Sequence, residues 1–220
     1  MLGVIFDWDG VVINSAKLHE KSWEILAEEI GFTLPPNHFS QGFGKRNETI
    51  IGKMLCWSKD QVEILRLGNR KEEIYRELGT KQGISLVPGS REFINLLHEN
   101  SIPMAIGTST ERKNIDLVIE QNRMHGLFTG AVCSEDVTKG KPDPEVFLKA
   151  ADLIGKPYQN CVVLEDSTHG IEAALAANMT PVGITTTNPE EKLFEKGAKM
   201  VVEKLDEINL SILYDLIKSG

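Results

Sequence analysis

Leu2-Gly3-Val4-Ile5-Phe6-Asp7-Trp8-Asp9-Gly10 is the stretch on which the reading turns. A short apolar run with β-branched members reads as a fully buried strand of a parallel sheet. It ends in two aspartates one residue apart, and Gly10 permits a tight exit. In open α/β sheets, chemistry sits just past the carboxyl ends of the strands. Two carboxylates delivered there can divide labour: one attacks or binds a cation, the other handles protons. Alone, Asp-x-Asp-Gly arises by chance in roughly a few per cent of chains this long. It also reads as an ordinary strand followed by an Asp/Gly turn. Partner motifs farther along decide between the two.

The 220 residues suffice for one large domain, or one domain with a smaller insert. With 41% hydrophobic and 25% charged residues, the composition is that of an ordinary globular protein. A formal net charge of −8 argues against a nucleic-acid binder. It leaves an anionic small molecule open, because local lysines can outweigh the global balance. No stretch approaches the ~20 apolar residues that span a bilayer, so no membrane partner is expected. The chain enters a core strand at once, which leaves no room for a secretory signal. Cys56, Cys133 and Cys161 are odd in number and widely spaced. They read as reduced thiols of a cytoplasmic protein, not as a disulfide frame or zinc site.

Residues 16 to about 80 are helix-patterned and rich in Glu and Lys. Leu18, Trp23, Leu26 and Ile30 form one apolar face, and Gly31 is a natural stop. Pro35-Pro36 breaks the chain. Two or three further helices are expected, one through Ile64 and Leu65 and another through Ile74 and Leu78. From about residue 84, strands and helices alternate. Strands are expected at 102–107, 131–133, 161–164, 181–184 and 200–202, with helices at 111–122, 144–154 and 170–177. Such alternation implies a parallel sheet covered by helices. The fold class is therefore α/β, a Rossmann-like parallel sheet core with an inserted small α-helical cap. The expected core comprises residues 1–14 and 84–220, and the cap residues 15–83. Chain crossings near 11–16 and 79–88 would be its hinges.

Three more polar groups follow strands of this sheet. Thr108-Ser109 come after Pro103-Met104-Ala105-Ile106-Gly107. A hydroxyl there, with free backbone N–H groups, can bind a phosphate oxygen, or it is a plain helix N-cap. Lys141 lies in Lys139-Gly140-Lys141-Pro142-Asp143-Pro144, where Pro142 holds it extended. It can pair with a nucleophile or a transferring phosphoryl group, or be a solvated surface lysine. Glu165-Asp166 follow Cys161-Val162-Val163-Leu164. Adjacent acids at the end of a buried strand are costly unless paired or bound to a cation, and carboxylates suit Mg²⁺. The alternative is an exposed acid pair capping the next helix.

In this order, Asp-x-Asp-Gly, Thr-Ser, Lys-Pro and Glu-Asp resemble the haloacid dehalogenase-like superfamily over essentially the whole chain. The helical insert, the stretch Asn14 to Trp23 and Gly-Lys-Pro-Asp-Pro-Glu are similar to its β-phosphoglucomutase-like branch. Asn14 departs from the pattern, since many relatives carry Asp there. The resemblance implies that Asp7 is a nucleophile forming an aspartyl-phosphate. Asp9 would be the acid and base, with Thr108 and Lys141 on the phosphoryl oxygens. It implies Mg²⁺ held by the Asp7 carboxylate, the Asp9 carbonyl and Asp166, with Glu165 direct or through water. In Gly42-Phe43-Gly44-Lys45-Arg46, Arg46 matches a ligand of a distal phosphate. Lys71 matches a cap lysine and His19 a histidine near the hinge, although each also reads as a solvated residue. With Ser109 these are the candidate substrate-binding residues. The expected activity is a Mg²⁺-dependent phosphatase for a small phosphorylated metabolite, a sugar phosphate above others. The alternative is a mutase interconverting β-glucose 1-phosphate and glucose 6-phosphate. A signalling receiver domain would place its phosphorylated Asp after a later strand and lack the cap. A monomer is expected.

Overall fold

The computed structural model describes residues 2–218, so Met1, Ser219 and Gly220 at the expected domain ends lie outside it. Six strands form one sheet: β1 Gly3–Phe6, β2 Met104–Gly107, β3 Gly130–Val132, β4 Cys161–Glu165, β5 Thr180–Ile184 and β6 Met200–Val202. Their order is β3-β2-β1-β4-β5-β6, and every pairing is parallel. Strand side chains alternate between faces. Val4 and Phe6 enter one core cluster with Phe93, Ile94 and Leu97, while Ile5 enters the other with Phe147, Ala150 and Ala173. Burial on both faces explains why β1 is uniformly apolar.

The helices are α1 Ala16–Ile30, α2 His38–Gly42, α3 Asn47–Thr49, α4 Gln61–Gln82, α5 Ser90–Glu99, α6 Arg112–Gln121, α7 Glu145–Leu153, α8 Thr168–Ala176, α9 Glu190–Glu195 and α10 Leu210–Lys218. The first four are consecutive between β1 and α5. α1, α4 and the helical turn Ile50–Met54 between α3 and α4 share a core of their own, built on Trp23, Leu26, Ile50, Ile51, Ile64, Leu67 and Ile74. Full burial of each such side chain contributes about 1.5–3 kcal/mol. Gly31 ends α1 in the left-handed region, at φ 70°.

The segment expected as separate helices through Ile64 and Ile74 is instead the single helix α4. Asp60 starts it by accepting from the Val62 N–H at 2.9 Å. No proline interrupts residues 61–82. Gly68 costs about 1 kcal/mol relative to alanine, which packing on α1 and α3 overrides. At the base of this segment Ile13 bridges to Leu86, and the Asn14 N–H donates to the Ser85 carbonyl at 2.9 Å. The two chain crossings therefore run side by side. No helix among the described residues is long and apolar enough to cross a membrane.

Candidate active site

The chain order of the strands reverses between β1 and β4, which opens a crevice at their carboxyl ends. Asp7 leaves β1 there, Glu165 is the last residue of β4, and Asp166 follows it. Gly10 turns the chain at φ +79°, and a Cβ on it would collide with the Asp166 carboxylate. Only glycine permits that approach.

Lys141 Nζ reaches into the crevice, 2.8 Å from Asp7 Oδ1 and 2.6 Å from Glu165 Oε1. It also lies 4.7 Å from the centroid of the Phe147 ring. The other Glu165 oxygen accepts from the Ser167 N–H at 2.8 Å and its hydroxyl at 2.9 Å. Asp166 accepts from the Thr187 hydroxyl, and its carbonyl from Asn188 Nδ2 at 2.9 Å. The readings of Lys141 as a solvated lysine and of Glu165-Asp166 as an exposed pair are thereby excluded: all three side chains are buried.

Burial pushes the Asp7 carboxyl up to about 7; Lys141 pulls it down and Glu165 adds to the rise. Burial, then Glu165 and Asp7, push Asp166 well above the usual carboxylate range. Burial opposes the charge on Lys141, yet Asp7 and Glu165 outweigh it and raise its pKa. One oxygen from each of Asp7, Glu165 and Asp166 lies within 4.8 Å of the others. When all three are ionised, three carboxylates against one lysine leave a buried surplus of negative charge. An all-oxygen donor set with that surplus suits a small hard dication.

Asp9 is held from three sides. It accepts from the Ser15 and Thr110 hydroxyls, and His19 Nε2 lies 3.1 Å from Oδ1. Burial pushes Asp9 up, but His19 and the hydrogen bonds from His19, Ser15 and Thr110 outweigh it and hold it below the usual range. His19 stacks on Tyr75, with centroids 4.1 Å apart, and Lys71 Nζ lies 2.6 Å from Nδ1. An ammonium has only donors, so Nδ1 accepts and Nε2 carries the hydrogen aimed at Asp9.

Lys71 is 2% exposed, which overturns its reading as a solvated residue. Its partner Glu72 sits at 2.8 Å and also accepts from Asn47 at 2.8 Å and Asn114 at 2.6 Å. Burial works against the Glu72 charge; Lys71, His19 and these bonds still hold it at about 2. Thr108 is buried, with Oγ1 accepting from the Thr110 N–H at 3.1 Å, and Thr108 and Ser109 both line the cleft. Arg46 lines it too, with its guanidinium turned to main-chain carbonyls of residues 134–138.

The cleft thus gathers all ten expected residues except Glu165, which lies behind Lys141. Sequence reasoning passed over Ser15, Glu72, Thr110, Asn114 and Thr187. Thr110 repeats the hydroxyl of Thr108 two positions on, and Glu72 adjoins Lys71, so both carried a local signal. Asn114 and Thr187 carried none.

Residues 4–184 match the model of the haloacid dehalogenase-like hydrolase family. The chain is 38% identical over 213 residues to the chloroplastic 5-amino-6-(5-phospho-D-ribitylamino)uracil phosphatase of Arabidopsis thaliana, covering 95% of this chain and 56% of that relative. It thus spans little more than half the length of that protein. It is 28% identical to the β-phosphoglucomutase of Bacillus subtilis, covering 98% of this chain and 95% of the relative. A crystal structure of a family IA, variant 3 hydrolase from Entamoeba histolytica superposes with a TM-score of 0.90 at 30% identity, over 99% of this chain and 100% of the other. With the family model spanning the sheet edge and every motif on it, the chain belongs to the haloacid dehalogenase-like hydrolases.

Proposed function

We propose that this protein is a Mg²⁺-dependent phosphatase that hydrolyses a small phosphorylated metabolite, a sugar or polyol phosphate, through an aspartyl-phosphate on Asp7. The observation that carries the reading is the buried surplus of carboxylate at the sheet edge, tied to one lysine and open to the cleft. Asp7, Asp166 and the Asp9 carbonyl would hold the cation, with Glu165 reaching it directly or through water. Bound there, the cation would offset repulsion between carboxylate and phosphate and stabilise charge on the equatorial oxygens.

This chain's residues supply the rest. Asp7 attacks phosphorus in its ionised form, and Lys141 favours that form while meeting a phosphoryl oxygen. Thr108 and Ser109 hold the remaining oxygens. Asp9 protonates the leaving oxygen, and then takes a proton from the water that opens the acyl phosphate. With three partners Asp9 favours the ionised form, so proton delivery requires some of those bonds to loosen. Ser15 and His19 both belong to the helical segment, residues 15–83 by the expected boundaries. Its movement as a cap would therefore set the proton state of Asp9. Three unpaired thiols agree with a cytoplasmic setting.

The test is phosphate release with Mg²⁺ over a panel drawn from the substrates in the relatives' names. It includes 5-amino-6-(5-phospho-D-ribitylamino)uracil, pseudouridine 5′-phosphate, hexitol phosphates and β-glucose 1-phosphate. Free phosphate from one or a few members is expected. Conversion of β-glucose 1-phosphate to glucose 6-phosphate with little free phosphate would replace the phosphatase by the mutase.

A further inference from the structure

We infer that Arg46 is the latch that seats the helical segment on the sheet domain, and that the far end of the cleft consequently takes an uncharged head of a phosphate monoester, not a second phosphate. This rests on the phosphatase reading and narrows its substrate.

Arg46 lies in the glycine-containing loop before α3, at the mouth of the cleft. Its guanidinium is taken up by the opposite wall. Nη2 donates to the Ser134 carbonyl and to the Val137 carbonyl at 3.0 Å, and Nη1 to the Thr138 carbonyl at 3.3 Å. These carbonyls belong to the segment between β3 and Lys141. The Arg46 stem lies along Gly140, where a Cβ would come within 3.2 Å of Cδ and 3.4 Å of Cγ. The latch therefore closes on the loop that delivers Lys141.

Bidentate capture of a phosphate needs two parallel N–H donors. Of the Arg46 nitrogens only Nε, buried in the protein, lacks a partner. The other cations of the cleft are committed or peripheral. Lys141 faces Asp7, Lys71 is paired with Glu72, His38 turns Nδ1 to the Pro35 carbonyl at 2.9 Å, and Lys45 is exposed at the rim. Glu48 and Glu111 line the same walls. A second dianionic group would meet these carboxylates with no free fork to bind it, whereas hydroxyl or N–H groups would find acceptors. On the other flank Asn114 binds Glu72 at 2.6 Å, and Arg76 binds Glu111 at 3.1 Å and Asn114 at 2.9 Å. The segment is thus clasped from two sides, and Arg46 is the clasp beside Lys141.

A positioning latch and a phosphate ligand respond differently to substitution. Arg46→Ala and Arg46→Lys are to be compared with the unaltered protein on p-nitrophenyl phosphate, sorbitol 6-phosphate and fructose 1,6-bisphosphate, with small-angle scattering of each folded protein. A latch predicts that kcat falls by a similar factor on every substrate turned over, about tenfold to a hundredfold. Arg46→Lys should not rescue, because one ammonium cannot fork onto three carbonyls. The radius of gyration should rise in both variants, and the unaltered protein should disfavour the bisphosphate. Loss confined to fructose 1,6-bisphosphate, with rescue by Arg46→Lys, would overturn the proposal; so would unchanged scattering. If the unaltered protein released no phosphate from any compound, the phosphatase reading would fail, and scattering would still decide the latch.

Discussion

At the sheet edge three buried carboxylates face one lysine; in the helical segment one buried lysine faces one carboxylate, with His19, Asn47 and Asn114 filling the remaining sites. Both clusters are buried and densely hydrogen-bonded. The first holds more carboxyls than cations, and its carboxyls Asp7 and Asp166 are pushed up toward the protonated form. The second is balanced, and Glu72 is held down at about 2. A buried surplus persists only where a ligand cancels it. A balanced pair needs nothing further and serves to fix geometry, here the orientation of His19 toward Asp9. On the proposed reading, the comparison separates the place where bonds are made from the place that times them.

The largest effect is expected at the surplus. Asp7→Asn should lower kcat by roughly 10⁴- to 10⁶-fold. Asp9→Asn should cost about 10²–10⁴-fold while still allowing a phosphoenzyme, detectable by acid-quench labelling. Substantial turnover by Asp7→Asn would remove the division between the clusters.

The balanced cluster should answer in stability. Glu72→Ala leaves Lys71 buried without its counter-charge, a loss of about 3–5 kcal/mol. For a chain of this size that lowers Tm by roughly 6–20 °C. A calorimetric scan showing no shift would mean that Lys71 escapes to solvent and that the pair is not structural.

Metal affinity sharpens the contrast further. The raised Asp7 pKa means that a proton and a cation compete below about pH 7. Mg²⁺ affinity measured by titration calorimetry should fall about tenfold per pH unit below that point. Metal-free protein gains stability from Asp7 at low pH and loses it as pH rises through 7, because the folded pKa is raised. The Tm increase on adding Mg²⁺ should therefore grow from pH 5.5 to pH 8. An increase independent of pH would place the cation elsewhere.

The smallest effect belongs to the chain crossing outside both clusters. Asn14 is exposed and is tied there through its backbone N–H to the Ser85 carbonyl. Asn14→Asp should alter kcat/KM by no more than roughly twofold, equivalent to about 0.5 kcal/mol. A larger change would show that the side chain acts in the hinge.

The sequence by itself determined the class of fold and the order of the chemistry. Uniformly apolar runs such as Val4-Ile5-Phe6 and Cys161 to Leu164 mark strands buried on both faces, and a polar residue just after such a run stands at the carboxyl edge of the sheet. This is local information, set by the strand period and the topology rule for parallel sheets. It suffices to bring Asp7, Asp9, Thr108, Glu165 and Asp166 to one edge. Tertiary structure alone decided how charges are shared across the cleft. Lys141 meets Asp7 from 134 positions away, and Arg46 finds its carbonyls 88 to 92 positions away. Helical periodicity reports which face of α4 is apolar, yet a lysine is polar on any scale. Only the packed structure shows Lys71 enclosed by His19, Glu72, Trp23 and Tyr75. Glu72 stands next to Lys71 in any window of residues, but that the pair is buried, and that Lys141 finds Asp7 and Glu165, is written only in the packing of elements.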